Sequence, residues 1–209
     1  MLIIGAKGFA KEVLEVLLQK NEIEELYFYD DISQDIPEKL HGFPILKNFS
    51  EVQDLFKYNN KFTIGIGNPL IRFKIYEKFQ MQGGIFTSTI SPFSKIGHYG
   101  NQIGDGCNIM TGVVITSDIT IGDGCLINLN STVGHDTRIG RFTELSPGVS
   151  ISGNCSIGEF CNIGTNATLL PKIKLGNNVT VGAGAVVTRD IPDGETVVGI
   201  PAKPLNKSM

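Results

Sequence analysis

The dominant pattern along the chain is a period of six residues in its second half. Every sixth position from Ile103 to Val187 is Ile, Leu or Val, which makes fifteen aliphatic residues at fifteen positions. A small or apolar residue follows four positions after each of them. This period fits neither an α-helix nor a simple strand alternation, and it is typical of a parallel β-helix whose hexapeptides each form one short strand and one turn. Residues 103–192 then make five triangular coils of 18 residues, and Ile90 and Ile96 extend the pattern upstream.

The four cysteines follow the same period. Cys107, Cys125, Cys155 and Cys161 are separated by 18, 30 and 6 residues, all multiples of six, and they form no CxxC pair. A free cysteine packs as a small buried hydrophobe. The spacing therefore indicates one recurring interior position, and neither a metal site nor a disulfide framework.

The first 90 residues follow a different pattern. "MLIIGAKGFAKEVLEVLLQKN" predicts a strand, a glycine-containing turn and an amphipathic helix, "LYFYDD" predicts a second strand, and "KFTIGIGN" predicts a third. A helix with Pro69 near its start follows in "PLIRFKIYEKFQMQGG". Strands that alternate with helices indicate a small βαβαβ unit with a parallel sheet. We therefore expect an α/β domain over residues 1–90 and a parallel β-helix over residues 91–209.

Three turns should meet at the carboxyl ends of the three strands, where parallel sheets bind ligands. They lie at residues 5–8, 30–31 and 65–68. The first, "GAKGFA", lacks the full GxGxxG fingerprint and could be an ordinary structural turn. Asp30 lies where an acid would bind a ribose, or where it would simply be solvated. The two features together favour a nucleotide-bearing ligand.

Composition excludes several other classes of protein. The net charge of the 209 residues is −3, and no run of Lys and Arg suggests a nucleic-acid surface. No segment approaches the ~18 apolar residues of a membrane span. The apolar start runs directly into a glycine turn and a charged helix, unlike a signal peptide. We therefore expect a cytoplasmic protein with neither a membrane span nor a nucleic-acid partner.

These motifs together resemble the left-handed β-helix acyltransferases of the hexapeptide-repeat family. "GAKGFA", the Asp-Asp pair, the "IGN" turn and "VGHD" are similar to sugar acyltransferases related to sialic acid O-acetyltransferase, and most of all to the nucleotide-activated 4-amino-sugar N-acetyltransferases. The resemblance implies a left-handed prism and a homotrimer that binds acetyl-CoA between neighbouring prisms. It implies acetyl transfer to the amino group of a sugar nucleotide in bacterial surface glycan biosynthesis. The nucleotide (UDP, dTDP or GDP) and the sugar stay open.

The histidine of "VGHD" could be a solvated residue or a catalytic base. His135 lies two residues after Val133 and should face outward near a corner of the prism. In the family the matching histidine is the base, and a neutral imidazole can take the proton that the attacking amine loses. Asp136 matches the acid that raises the basicity of this histidine. It can do so only if the chain turns there, because neighbouring strand residues point to opposite faces.

The resemblance also implies the ligands of both substrates. For the sugar nucleotide they are Lys7, Gly8, Phe9, Asp30, Asp31, Gly67 and Asn128. For acetyl-CoA they are Glu144, Gly153, Thr165, Ala183 and Lys203. The N–H of Gly153 could donate to the thioester oxygen, although glycine is also common in such turns. Glu144 departs from the family, because relatives often carry a histidine there and an ionised carboxylate cannot donate a hydrogen bond.

Three other functions fit part of the sequence. An O-acetyltransferase acting on sialic acid or another sugar would use the same fold with a hydroxyl acceptor. A γ-carbonic-anhydrase-like enzyme would need three zinc-binding histidines, for which His41, His98 and His135 are the candidates. His41 lies in the front domain, so we expect no metal. A non-catalytic scaffold would use the prism for assembly alone.

Overall fold

The computed structural model describes residues 1–205, which form an α/β front domain and a left-handed parallel β-helix. The front domain contains β1 (Leu2–Ile4), α1 (Gly8–Gln19), β2 (Tyr27–Tyr29), β3 (Lys39–Leu40), β4 (Phe43–Leu46), α2 (Phe49–Phe56), β5 (Lys61–Ile64), α3 (Pro69–Gln80) and β6 (Ile85–Phe86). Its sheet has the strand order β3-β4-β2-β1-β5-β6. Every pairing is parallel except that of β3 with β4.

The predicted βαβαβ unit accounts for β1, α1, β2, β5 and α3, and it omits β3, β4, α2 and β6. The hairpin of β3 and β4 is short and turns at His41 and Gly42, which both have positive φ. Helix α2 begins at a capping box, in which Asn48 and Glu51 each accept a hydrogen bond from the other's backbone. That box is a sequence-level start signal for a helix.

The prism has three faces of stacked two- to three-residue strands. The first face is formed by β7 (Thr89–Ile90), β10 (Asn108–Ile109), β13 (Leu126–Ile127), β16 (Glu144–Leu145), β19 (Asn162–Ile163), β22 (Thr180–Val181), β24 (Thr196–Val198) and β25 (Lys203–Pro204). The second is formed by β8 (Lys95–Ile96), β11 (Val114–Ile115), β14 (Thr132–Val133), β17 (Ser150–Ile151), β20 (Thr168–Leu169) and β23 (Val186–Val187). The third is formed by β9 (Gln102–Ile103), β12 (Thr120–Ile121), β15 (Arg138–Ile139), β18 (Ser156–Ile157) and β21 (Lys174–Leu175).

Each corner of the prism needs one residue with positive φ, three positions after the inward aliphatic. Glycine fills this position at five corners, and Asn or Asp, which tolerate it best among the other residues, at six more. These residues are Gly106, Gly112, Gly124, Gly148, Gly184, Asp118, Asn130, Asp136, Asn154, Asn166 and Asn178. Phe142, Phe160 and Lys172 hold the same position at three further corners, so the turn does not strictly require Gly, Asn or Asp.

The core of the prism is one continuous stack of buried aliphatic side chains from successive coils. The four cysteines are free and buried in it, as their spacing predicts. Because β7 pairs with β10, the stacked strands of the prism begin at Thr89. The stack therefore has one more coil than the five predicted from Ile103 onward, and Ile191 bridges to Leu175 at its end.

The front domain packs on the first face of the prism. We name the corners in chain order: the first joins faces one and two, the second joins faces two and three, and the third joins faces three and one. Asn108 on the first face donates to the carbonyl of Ile64, at 2.9 Å. Gln19 contacts Thr111 at the first corner, and Phe73 packs edge-to-face on Phe142 at the third. The second corner is opposite this docking face.

Candidate active site

The front domain contains a cavity of about 580 Å³ at the carboxyl ends of β1, β2 and β5. All six residues predicted to hold a sugar nucleotide in this domain line it. They are Lys7, Gly8, Phe9, Asp30, Asp31 and Gly67. The cavity thus joins the three turns that the sequence places at the same edge of the sheet, and its remaining wall comes from α3.

The two acids of the cavity have different partners. Asp30 accepts hydrogen bonds from the backbone N–H groups of Ile32 and Ser33 and from the Ser33 hydroxyl, so it organises the loop beside the cavity. Asp31 accepts a 2.7 Å hydrogen bond from the Tyr29 hydroxyl and lies 3.5 Å from the Lys78 ammonium. Burial alone would raise the pKa of Asp31, but Tyr29 and Lys78 lower it below its ordinary value. Asp31 is therefore ionised.

Two lysines of the cavity were missed from the sequence. Lys74 and Lys78 lie four residues apart on α3, and both line the cavity with Lys7. Residues at that spacing share one face of a helix, so the signal was present in "RFKIYEK". The three ammonium groups make the cavity mouth suitable for an anionic ligand, whereas Ile66, Ile75 and other apolar side chains line much of the rest.

His135 and Asp136 lie together at the second corner of the prism. Nδ1 of His135 is 2.7 Å from Oδ2 of Asp136, and both side chains are exposed. Asp136 has a φ of 58°, so the chain turns at this residue and the two neighbours can meet. A carboxylate accepts, so the Nδ1–H of His135 donates to Asp136, and in this tautomer of the neutral ring Nε2 carries the lone pair.

Gly153 lies one coil above His135 and packs against its ring. A Cβ atom at Gly153 would lie 2.6 Å from Nε2 of His135, so only glycine leaves the ring in this position. Within residues 1–205 the N–H of Gly153 donates to no protein acceptor. A free N–H beside Nε2 is the arrangement that could bind a developing oxyanion next to a base.

The other predicted coenzyme residues lie elsewhere on the prism. Thr165 and Ala183 are exposed at the first corner, one coil apart, where the N–H of Gly184 donates to the carbonyl of Thr165. Lys203 is exposed on β25, in the segment after the last coil. Asn128 is buried at the first corner, and its side chain accepts a hydrogen bond from the N–H of Leu129. Within one chain, none of these four lies at the second corner with His135.

Glu144 lies where the front domain meets the first face. Both of its carboxylate oxygens are 3.4 Å from where a Cβ of Gly67 would be, and Oε2 is 3.7 Å from Nη1 of Arg72. Arg72 is 1% exposed and donates to the carbonyls of Gly67, Gly124, Phe142 and Thr143. Burial raises the pKa of Glu144, and the Arg72 guanidinium opposes that shift.

The three histidines do not form a metal site. His41 lies in the turn between β3 and β4, and His98 lies in the first coil of the prism, between β8 and β9. Among the described residues, no three His, Cys, Asp or Glu side chains are grouped as metal ligands. No helix in residues 1–205 is long and apolar enough to cross a membrane.

Two family models match the chain. The PglD N-terminal domain matches residues 1–79, which include the whole cavity lining. The bacterial transferase hexapeptide model, six repeats long, matches residues 154–189 in the upper part of the prism. A comparison with curated protein sequences gives no match.

Solved structures resemble the chain over both domains. The acetyltransferase domain of PglB from Neisseria gonorrhoeae FA1090, in complex with acetyl coenzyme A, is 36% identical with a TM-score of 0.90, and 98% of each chain is covered. A variant of perosamine N-acetyltransferase from Caulobacter crescentus, in complex with CoA and GDP-perosamine, is 30% identical with a TM-score of 0.91 over 99% of this chain and 96% of that chain. WeeI from Acinetobacter baumannii AYE is 31% identical, with a TM-score of 0.91 and 98% of each chain covered.

The chain belongs to the hexapeptide-repeat sugar N-acetyltransferases. This membership rests on 30% or more identity to relatives that are matched over nearly the whole of both chains, and it confirms the fold, the enzyme class and acetyl-CoA as the acetyl donor. In such an acetyltransferase the cavity and the His135 corner are the two candidate substrate regions. The roles of their individual residues remain predictions.

Proposed function

We propose that this acetyltransferase transfers the acetyl group of acetyl-CoA to the amino group of a nucleotide-linked 4-amino sugar, in bacterial surface glycan biosynthesis. The observation that carries the proposal is the front cavity, which brings all six implied ligands of that domain to one place. Its likeness to an enzyme solved with GDP-perosamine supports a sugar nucleotide as the ligand.

The chemistry of the cavity suits the parts of a sugar nucleotide. Its apolar wall can pack against a base, and the free oxygen of Asp31 can accept a hydrogen bond from the base or from a ribose hydroxyl. Lys7 and Lys74 can face the diphosphate together with the first N–H groups of α1, because a helix N-terminus attracts anions. This division makes the front domain the nucleotide-binding part of the site.

The cavity and His135 must come from different protomers in this proposal. The front domain lies on the first face, and His135 lies at the opposite corner of the same prism. A sugar nucleotide in the cavity therefore cannot reach the His135 of its own chain without crossing the prism. We propose a homotrimer in which the second corner of one prism lies beside the first corner of the next, so that Gly153 would face Thr165 and Ala183 of a neighbour.

His135 is the general base of the proposed reaction. Its Nε2 takes the proton that the sugar amine loses as the nitrogen adds to the thioester carbonyl, and the CoA thiolate leaves. Asp136 stabilises the imidazolium that forms and holds the ring in position. The Gly153 N–H stabilises the negative charge on the carbonyl oxygen during the addition. No covalent acetyl-enzyme is needed.

The proposal is tested with labelled acetyl-CoA and UDP-, dTDP- and GDP-linked 4-amino-4,6-dideoxyhexoses, each beside its 4-hydroxy counterpart. We expect label to pass to one amino sugar nucleotide and to be retained after mild alkali, since an amide resists it and an ester does not. Transfer to a hydroxyl would make the enzyme an O-acetyltransferase. Transfer to free sugars only would mean that the enzyme does not recognise the nucleotide part of the substrate.

A further inference from the structure

We propose that Glu144 selects amino sugars over hydroxy sugars by binding the substrate's amino group. The inference rests on the proposed function, because it takes the front cavity as the nucleotide site. Relatives often carry histidine at this position. The negative charge of a carboxylate suits the binding of an ammonium group better than a neutral imidazole does.

Glu144 is a carboxylate of the prism that lies next to the lining of the front cavity. Gly67 lines the cavity, and both oxygens of Glu144 lie 3.4 Å from the position that a Gly67 Cβ would take. Because residue 67 is glycine, no side chain at this position separates the cavity from the carboxylate. In the proposed function the sugar of a bound nucleotide has to reach the acetyl donor on the prism, so a prism carboxylate beside the cavity is placed to meet it.

The carboxylate has acceptor capacity left over. Its side chain is only 14% exposed, yet within residues 1–205 it accepts no hydrogen bond and has Arg72 as its one charged neighbour, at 3.7 Å. The guanidinium N–H groups of Arg72 donate instead to four backbone carbonyl groups. The oxygens of Glu144 still reach solvent, because no fully buried side-chain N or O atom among the described residues lacks a hydrogen-bond partner. A donor group of the substrate can therefore take the place of water there.

Arg72 makes the binding selective. Burial raises the pKa of Glu144, and the Arg72 guanidinium, 3.7 Å away, opposes this shift and favours the anion. An amine is largely protonated near neutral pH, and an anion binds an ammonium group more strongly than it binds a hydroxyl. The ammonium first gives one proton to solvent, and the neutral amine then passes a second proton to His135 as its nitrogen adds to the carbonyl. A remaining N–H can still donate to Glu144, which holds the nitrogen in place.

The test compares two ligands on three proteins by calorimetry. The ligands are the amino sugar nucleotide that gives the largest thermal shift with the wild type and its 4-hydroxy counterpart. The proteins are the wild type, Glu144→Gln, and the control Glu159→Gln, which removes a half-exposed carboxylate paired with Arg141. We expect the wild type and the control to prefer the amino ligand, and Glu144→Gln to lose roughly 10- to 100-fold of that preference.

Each possible outcome of the calorimetry either supports or overturns the proposed role of Glu144. Equal weakening of both ligands by Glu144→Gln, or no change, would leave Glu144 as a counterion of Arg72 and overturn the inference while the proposed function stands. Binding of neither sugar nucleotide to the wild type would overturn both. If Glu144→Gln does not fold, Glu144→Asp keeps the charge and withdraws it by one methylene. A reduced preference in that variant supports the inference, and an unchanged one contradicts it.

Discussion

His135 and Asp136 are adjacent in the sequence, yet Nδ1 of the first lies 2.7 Å from Oδ2 of the second. Adjacent side chains in a strand point to opposite faces, and the pair meets only because Asp136 has a φ of 58° at a corner. At this corner, the positive-φ position of the hexapeptide thus places a carboxylate within hydrogen-bond distance of the histidine. Asn and Gly would serve the turn equally well, so the turn alone does not require Asp.

Replacing His135 with Ala should lower kcat by roughly 10²- to 10⁴-fold, the usual contribution of a general base. The fold should persist, because the side chain is exposed. The matched control is His98→Ala, which removes another exposed histidine of the prism. Steady-state kinetics and thermal unfolding check both variants. Near-full activity in His135→Ala would mean that another group accepts the proton.

Replacing Gly153 with Ala should lower kcat without changing the unfolding temperature. The new methyl group would lie 2.6 Å from Nε2 of His135, and the exposed ring would move away rather than the backbone. A shift of about 1 Å in a catalytic group can cost ~100-fold. Ser152→Ala, one residue earlier at the same corner, is the control. If Gly153→Ala matches the control in kcat, the ring does not act from this position.

Replacing Asp30 with Ala should weaken binding of the sugar nucleotide and leave acetyl-CoA binding unchanged. The variant loses the three hydrogen bonds that organise the loop over residues 30–33 beside the cavity. A charge-assisted hydrogen bond is worth roughly 1.5–3 kcal/mol, so Kd should rise about 10- to 150-fold. Calorimetry with both ligands decides, with Asp35→Ala as the control from the same loop. Equal losses for both ligands would remove the cavity from sugar-nucleotide recognition.

Replacing Arg72 with Met should destabilise the protein by about 3–5 kcal/mol. The variant leaves Glu144 without its cation and three carbonyls, those of Gly67, Gly124 and Phe142, without a donor. Arg72→Lys should recover little of the stability that Arg72→Met loses, because one ammonium group cannot replace the several N–H donors of the guanidinium group. Arg138→Met on the exposed third face should stay within about 0.5 kcal/mol of the wild type in denaturant unfolding. A similar result for Arg72→Met would mean that this residue does not hold the domains together.

Most of the prism could be predicted from the sequence because its stabilising contacts repeat. Each inward aliphatic stacks on its counterpart 18 residues away, so a local period of six reports a long-range contact. The same holds for the four cysteines. In the front domain, β3 and β6 are only two residues long, and strands that short carry no period to read.

The candidate site could be predicted only in part. The three turns around the cavity follow from the rule that parallel strands end at one edge, and all six residues assigned to them line it. Arg72 could not be found in this way, since a buried arginine is recognised only when the carbonyls that it binds, on two domains, are known. The resemblance implies coenzyme residues between neighbouring prisms, and the fold of one chain distributes them over different corners because successive hexapeptides occupy successive faces.

In the proposed homotrimer, each active site combines the front cavity of one protomer with His135 of a neighbour. The direct test mixes His135→Ala and Asp30→Ala chains by joint refolding and assays them at a sugar-nucleotide concentration below the Kd of Asp30→Ala. With random assembly in a closed ring, about one quarter of the sites combine an intact cavity with an intact base, so the mixture should recover about a quarter of wild-type activity. A mixture no more active than the average of its two parents would contradict the shared site.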